Sequence, residues 1–169
     1  MSFMELCKGR CSVRGYLPDP IPQEKIDYIL ECARHAPSAA NRQPWRLYIV
    51  TGEAKKRLEA AYSKSWFAEA PLALAFVGNR RECWVHSDGT EYLMCDVAIF
   101  CDHLTLAAAE VGLGTCWIAA FDKTAARQAL QLPEDEMPFY LSPLGFPKPD
   151  STRAKSRKAL ADIVVWRQE

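Results

Sequence analysis

Nowhere in the 169 residues does an apolar run reach the roughly eighteen needed to cross a bilayer, which excludes a membrane-spanning helix. The opening Met1-Ser-Phe-Met-Glu-Leu-Cys-Lys8 carries Glu5 and no apolar core of the leader type, so no secretory signal is expected. Net charge is missing too. The 21 basic residues balance 21 acidic ones, leaving no global field to draw the chain to nucleic acid or to anionic lipid. The seven cysteines are odd in number and contain no C-x-x-C pair, which argues against a disulfide framework or a zinc ribbon and for reduced thiols in the cytoplasm. Glycine is scarce at 8 residues, and no internal repeat, low-complexity segment or linker stands out. What is present is a 49% hydrophobic composition, enough for one compact domain covering residues 1–169.

Periodicity orders the elements. Ser2 is placed to cap a short first helix running to about Lys8. Leu17-Pro-Asp-Pro-Ile-Pro22 has to be extended, because each proline restricts the residue before it. Pro22 then suits a helix start, with Ile26, Ile29, Leu30 and Ala33 forming a core stripe that ends near Pro37. Trp45 to Thr51 alternates as a strand, with Trp45, Leu47 and Ile49 on one face. Glu53 to about Ser63 reads as a charged amphipathic helix and Leu72 to Val77 as a buried strand.

After a polar, turn-like stretch from Asn79 to Thr90, Tyr92 to Val111 is the longest helical pattern. It carries Val97, Cys101, Leu104, Ala108 and Val111 on one stripe and Ala98, Ile99, Leu106 and Ala109 elsewhere round the cylinder. Such a helix must be covered on most sides, either as the central helix or against a second subunit. Gly112 and Gly114 end it. Strands are expected over Thr115 to Phe121, Phe139 to Leu144 and Ile163 to Trp166, with a helix from about Lys123 to Leu130 capped by Asp122. The alternation predicts an α+β layer fold.

Two short segments concentrate positive charge. Arg10-Cys11-Ser12-Val13-Arg14 sets two guanidinium groups and a hydroxyl close together, donors suited to phosphate oxygens, although such a segment on its own is more often a solvated helix end. Ser151 to Ala159 brings Arg153, Lys155, Arg157 and Lys158 with no acidic residue among them. A third segment, Pro37-Ser-Ala-Ala-Asn-Arg-Gln-Pro-Trp45, reads as a loop whose backbone groups are free to meet a ligand.

In order and spacing these segments resemble the flavin-dependent nitroreductase family. Arg10 to Arg14 is similar to its R-x-S-x-R, Pro37 to Trp45 to its P-S-x-x-N-x-Q-P-W loop, and Lys155-Ser-Arg157 to its K-x-R. Gly112-Leu-Gly114 and Trp117-Ile-Ala-Ala120 fall where the family has a G-L-G turn and a backbone-exposing strand end. The resemblance implies a nitroreductase-like three-layer sandwich, with a central mixed sheet flanked by helices, in an interlocked homodimer whose C-terminal segment crosses onto the partner. It also implies FMN at the subunit interface. Arg10, Ser12, Arg14, Lys155 and Arg157 would hold the phosphate, the ribityl chain and the pyrimidine edge, with Cys11 contributing backbone where the family often has another arginine. Ser38, Ala39, Asn41 and Gln43 would reach the flavin from the other subunit, and Trp117, Ile118, Ala119 and Ala120 would line its ring. The implied activity is a ping-pong hydride transfer through flavin N5, from NADH or NADPH to a small organic acceptor such as a nitroaromatic or a quinone. The chemistry lies on the flavin, and no catalytic side chain is assigned.

Several residues carry a second reading. Trp45 opens a strand and reads as a core anchor rather than a flavin contact, and Gln43 suits either a loop brace or a ligand contact. Ser63, Lys64 and Trp66 stand where family members often present other residues to the flavin edge, which allows a non-catalytic flavin- or nucleotide-binding protein as the alternative function. Arg153 and Lys158 read as solvated. Zero net charge opposes a nucleic-acid module built on them. Cys95 and Cys101, six apart on a helix, do not share a close face, so no metal site is expected there.

Overall fold

A computed structural model of the chain describes residues 1–168. Its centre is β2 (Leu72–Asn79), whose side chains divide between two buried faces: Leu72, Leu74 and Phe76 enter one apolar cluster, and Ala73, Ala75 and Val77 enter another. A strand buried on both faces loses the polar alternation of a half-exposed one, which is why it reads as a continuous apolar run. On the first face lie α2 (Gln23–Arg34) and α5 (Leu93–Glu110), and on the second α3 (Gly52–Leu58) and α6 (Lys123–Leu130). These are the three layers. The small Ala73 and Ala75 let the second pair approach closely, while Phe76, in edge contact with Phe100 of α5 at 6.1 Å, fills the first.

The sheet has four strands in the order β1-β2-β4-β3, with β1 at Trp45–Val50, β3 at Gly114–Thr115 and β4 at Glu136–Gly145. All three pairings are antiparallel, from Trp45 opposite Gly78 to Val50 opposite Ala73, and from Leu72 opposite Leu144 to Asn79 opposite Glu136. The expected mixed character reduces, among the described residues, to one isolated parallel bridge between Ser12 and Thr115. Between Phe76 and Val77 the register jumps from Tyr140 to Pro138, so Phe139 is the extra residue of a bulge beside a proline that has no N–H to give.

The remaining expectations stand as follows. Ser2 caps α1 (Phe3–Gly9) through a reciprocal capping box with Glu5, and Asp122 caps α6 through the N–H groups of Thr124 and Ala125. The helix expected to about Ser63 ends at Leu58 and tightens into a 3-10 turn over Glu59–Ala61. On β1 the predicted face is only partly inward: Trp45 and Leu47 pack towards α5, but Ile49 is 41% exposed and Tyr48 and Val50 serve the opposite cluster. The strand expected from Thr115 to Phe121 is confined to Gly114–Thr115, beyond which only Ile118 pairs, in an isolated bridge to Leu141. Ile163 to Trp166 is not a strand. It follows a 3-10 turn over Leu160–Asp162 and is exposed, because among the described residues no neighbouring strand offers it hydrogen bonds.

Candidate functional site

Residues 10–17 form a strap that joins the two ends of the chain. Arg10 closes α1 by donating its N–H to the Leu6 carbonyl at 2.8 Å. The strap then pairs on two sides: Val13 N–H donates to the Thr115 carbonyl at 2.9 Å, and Arg14 N–H to the Ser151 carbonyl at 2.8 Å. Leu17 N–H donates to Phe146 and Lys148 N–H to Gly15, so residues 146–152 run alongside. Val13 and Tyr16, 4% and 1% exposed, pin the strap to the interior, and the Tyr16 hydroxyl donates back to the Val13 carbonyl at 2.7 Å. Arg14 is exposed between the buried Val13 and Gly15, and Arg10, Cys11 and Ser12 are half-buried.

This arrangement brings the two basic segments to one cleft of about 210 Å³, whose wall holds Arg10, Cys11, Ser12, Arg14, Arg153, Ala154, Lys155, Ser156 and Arg157. Five of these are cations and none is a carboxylate. Among the described residues none of the five has a carboxylate within ion-pair distance, unlike Arg34, Arg46 or Lys148 elsewhere. Cations facing one cleft with no carboxylate among them make it a favourable place for an anion.

The five differ in what they already do. Lys155 Nζ donates to the carbonyls of Arg10 at 2.6 Å and Cys7 at 3.0 Å, occupying the free C-terminal carbonyls of α1 and the negative end of its dipole. It holds the cleft wall together. Among the described residues Arg157 donates only to the adjacent Ser156 carbonyl, at 2.7 Å, which leaves most of its fork unengaged. Arg153, read from the sequence as solvated, belongs to the wall because the bridge between Val13 and Thr152 sets its segment against the strap. Behind the wall, burial raises the Cys116 thiol above its usual range, with the Arg14 guanidinium and the Ser12 hydroxyl opposing.

The other expected contacts do not line this cleft. Trp117 donates its indole N–H to Thr105 Oγ1 at 3.2 Å and packs on Tyr140 at 4.9 Å. Ile118 is buried and exchanges both backbone hydrogen bonds with Leu141 at 2.9 Å, which fixes the chain direction so that Ala119 and Ala120 emerge exposed. The 38–43 loop lies at the start of α5 and is braced internally: Ser38 Oγ accepts from Gln43 N–H at 2.9 Å, and Gln43 Nε2 donates to the Asn41 carbonyl at 3.2 Å. Gln43 therefore braces the loop. Trp45 stacks on Phe100 at 5.0 Å as a core anchor, and the half-buried Trp66 packs edge-on against Tyr62 at 5.5 Å. Ser63 and Lys64 border a separate small cleft with Glu59 and Tyr62.

One buried residue escaped the sequence reading. Asp96, 1% exposed in α5, accepts the Ala39 N–H on Oδ1 at 2.9 Å, while its Oδ2 has no partner among the described residues. Its signal was available: it is the single charge between Glu91 and Asp102, inside an otherwise apolar stretch of helix. All seven cysteines are free thiols, and among the described residues no group of three or more His, Cys, Asp or Glu converges as a metal site. No helix among them is long and apolar enough to cross a membrane.

Comparison with known proteins places this geometry in a known setting. Residues 7–82 and 59–146, two overlapping stretches, match the model of the Nitroreductase family. A Thermus thermophilus protein named NADH dehydrogenase is 30% identical over 190 aligned positions, covering 94% of this chain and 92% of that protein. The crystal structure of a nitroreductase family protein from Clostridium difficile 630 superposes with a TM-score of 0.91 at 30% identity, each chain covered in full. An FMN-dependent nitroreductase from Clostridium difficile R20291 shares the fold, with a TM-score of 0.82 at 21% identity over 99% of this chain and all of that one.

Proposed function

Because the chain belongs to the nitroreductase family, we propose that the basic cleft holds the phosphate of FMN and that the protein is an FMN-dependent NAD(P)H oxidoreductase. The observation that carries this reading is the convergence of Arg10, Arg14, Arg153, Lys155 and Arg157 on a cleft whose wall has no carboxylate. A phosphate dianion with bidentate acceptor edges is the chemistry such a wall fits. The name of the Thermus relative supports a nicotinamide reductant, and that of the second clostridial structure supports FMN.

Within this reading Arg10, Arg14 and Arg157 bind phosphate oxygens, Ser12 adds a hydroxyl, and Lys155 holds the wall in place. The exposed Ala119 and Ala120, steadied by the Ile118 bridge, leave backbone N–H groups open to a planar ring. When bound, FMN supplies a two-electron carrier that accepts hydride from NADH or NADPH and passes the electrons on to a small organic acceptor, such as a nitroaromatic or a quinone, in a separate half-reaction. The protein binds and orients; no side chain is assigned as acid or base.

We assign the 38–43 loop to the cofactor of a second copy, in a homodimer. Exposed apolar side chains support it: Phe3 at 71% and Met4 at 63% on α1, Met94 at 59% on α5, and Leu160, Ile163, Val165 and Trp166 at 61% or more in the tail. The deciding experiment titrates FMN into the purified protein and then adds NADH or NADPH without oxygen. Flavin uptake followed by rapid bleaching of its absorbance is expected. No FMN affinity would overturn the reading, and uptake without bleaching would leave the alternative, a passive flavin or nucleotide binder.

A further inference from the structure

The 38–43 loop is costly to hold in its observed shape. Ala40, Asn41 and Gln43 all adopt left-handed backbone, at φ of 48°, 53° and 51°, and none is a glycine. Left-handed backbone strains any residue that carries a Cβ, most of all alanine, which has no side-chain hydrogen bond to offset it. The bonds from Ser38 to Gln43 and from Gln43 to Asn41 lie within the loop, so they can fix its curvature but not its position. The side-chain bond that ties it to the body of the protein runs from Ala39 N–H to Asp96 Oδ1 across 57 positions of sequence.

Asp96 is an expensive way to make one hydrogen bond. Its carboxyl is almost wholly buried and its second oxygen has no donor, so burial pushes its pKa up, opposed by the Ala39 N–H. Its place in the first turn of α5 favours a negative charge. The helix above it is fixed on the sheet side through Val97 and Phe100, so the carboxyl sits on a rigid support.

We propose that Asp96 is a positioning residue for the ligand-facing loop: by accepting the Ala39 N–H from a rigid helix it holds Ser38, Ala39 and Asn41 in the strained shape in which they meet the cofactor of the partner subunit. The loop's part in this rests on the FMN reading above; its anchoring by Asp96 does not. The role assigned to Asp96 is exerted through the loop, by way of the Ala39 N–H.

The test compares Asp96→Ala with Asp96→Asn by two measurements. The first is amide hydrogen exchange in the cofactor-free protein. Asp96→Ala is expected to speed exchange of the 38–43 amides at least tenfold with the β2 amides unchanged, and Asp96→Asn, whose amide oxygen can still accept from Ala39, to restore most of the protection. The second is FMN affinity, expected to fall at least fivefold in Asp96→Ala and to recover in Asp96→Asn. Unchanged loop exchange in Asp96→Ala, or an Asp96→Asn variant as impaired as Asp96→Ala, overturns the proposal. A wild-type protein that binds no FMN overturns the function and the ligand-facing half of the proposal, while the exchange arm still decides the anchoring. Should Asp96→Ala not fold, Ala39→Pro removes the donor instead, next to a Ser38 backbone at φ −142° and ψ 160° that accepts a following proline. The same loosening and loss of affinity are expected from it, and their absence counts against the proposal equally.

Discussion

The arginines and the lysine of the cleft wall have separable roles. Arg14→Ala or Arg157→Ala removes a guanidinium from the cleft wall and, if the cleft holds phosphate as proposed, is expected to weaken FMN binding by roughly 1.5–3 kcal/mol, about 10- to 150-fold, with the melting temperature of the cofactor-free protein little changed. Titration of flavin fluorescence checks it. Lys155→Met is expected to behave differently, because Lys155 already serves the α1 carbonyls: the amides of residues 3–9 should exchange faster even with no ligand present. The charge of these residues could be read from the sequence, since runs without acidic residues are visible in any chain. What each charge does could not, because the distances from Lys155 to Cys7 and Arg10 depend on a fold that closes 148 and 145 positions of chain. Arg153 shows the same limit: it is exposed, as expected of a solvated residue, but nothing local marks the bridge between Val13 and Thr152 that sets its segment against the strap.

Among the elements, those defined by their own caps and periodicity were legible. α1, α2, α5 and α6 lie within a few residues of expectation because Ser2, Pro22, Gly112 and Asp122 mark ends chemically. Strands depend on partners, and there the reading slipped: β3 is cut to Gly114–Thr115, which pairs with β4 on one side and with the strap on the other. The strap itself has an acid-sensitive fastening. Glu69 accepts from Lys148 Nζ at 3.0 Å and from Tyr16 N–H at 3.3 Å, and the Lys148 ammonium first, then the Tyr16 N–H, hold its carboxyl below the ordinary value of 4.5. A depressed carboxyl contributes stability that is complete above its unfolded pKa and is lost as pH falls through the folded value. Thermal melts should therefore show the wild type losing stability below about pH 4.5 more steeply than Glu69→Gln, which starts lower and is flatter.

For the whole molecule, the unpaired tail and the open edge of the sheet belong to one account. β1 is an edge strand, flanked by a groove of about 460 Å³ that includes Leu47, Ile49 and Leu130. Ile163 to Trp166 has strand composition and no strand to pair with in its own chain, so its apolar residues were legible and their partner was not. Removing residues 160–169 is expected to convert a dimer of twice 19.0 kDa to a monomer in sedimentation, with the α5 face newly open to solvent. An untruncated chain that already sediments as a monomer would contradict the homodimer.

The way the strap is fastened also bears on when the site comes into being. During synthesis Arg10 and Arg14 leave the ribosome first, and their counterparts at 153–157 follow only after the sheet between them has been made. Contacts of such long range are reached late in folding, since the closure entropy must be met before they stabilise anything. A nascent chain therefore has no assembled anion cradle, and cofactor loading is expected to follow folding rather than to aid it. In refolding experiments FMN is expected to leave the main folding rate unchanged while slowing unfolding, the pattern for contacts absent from the transition state.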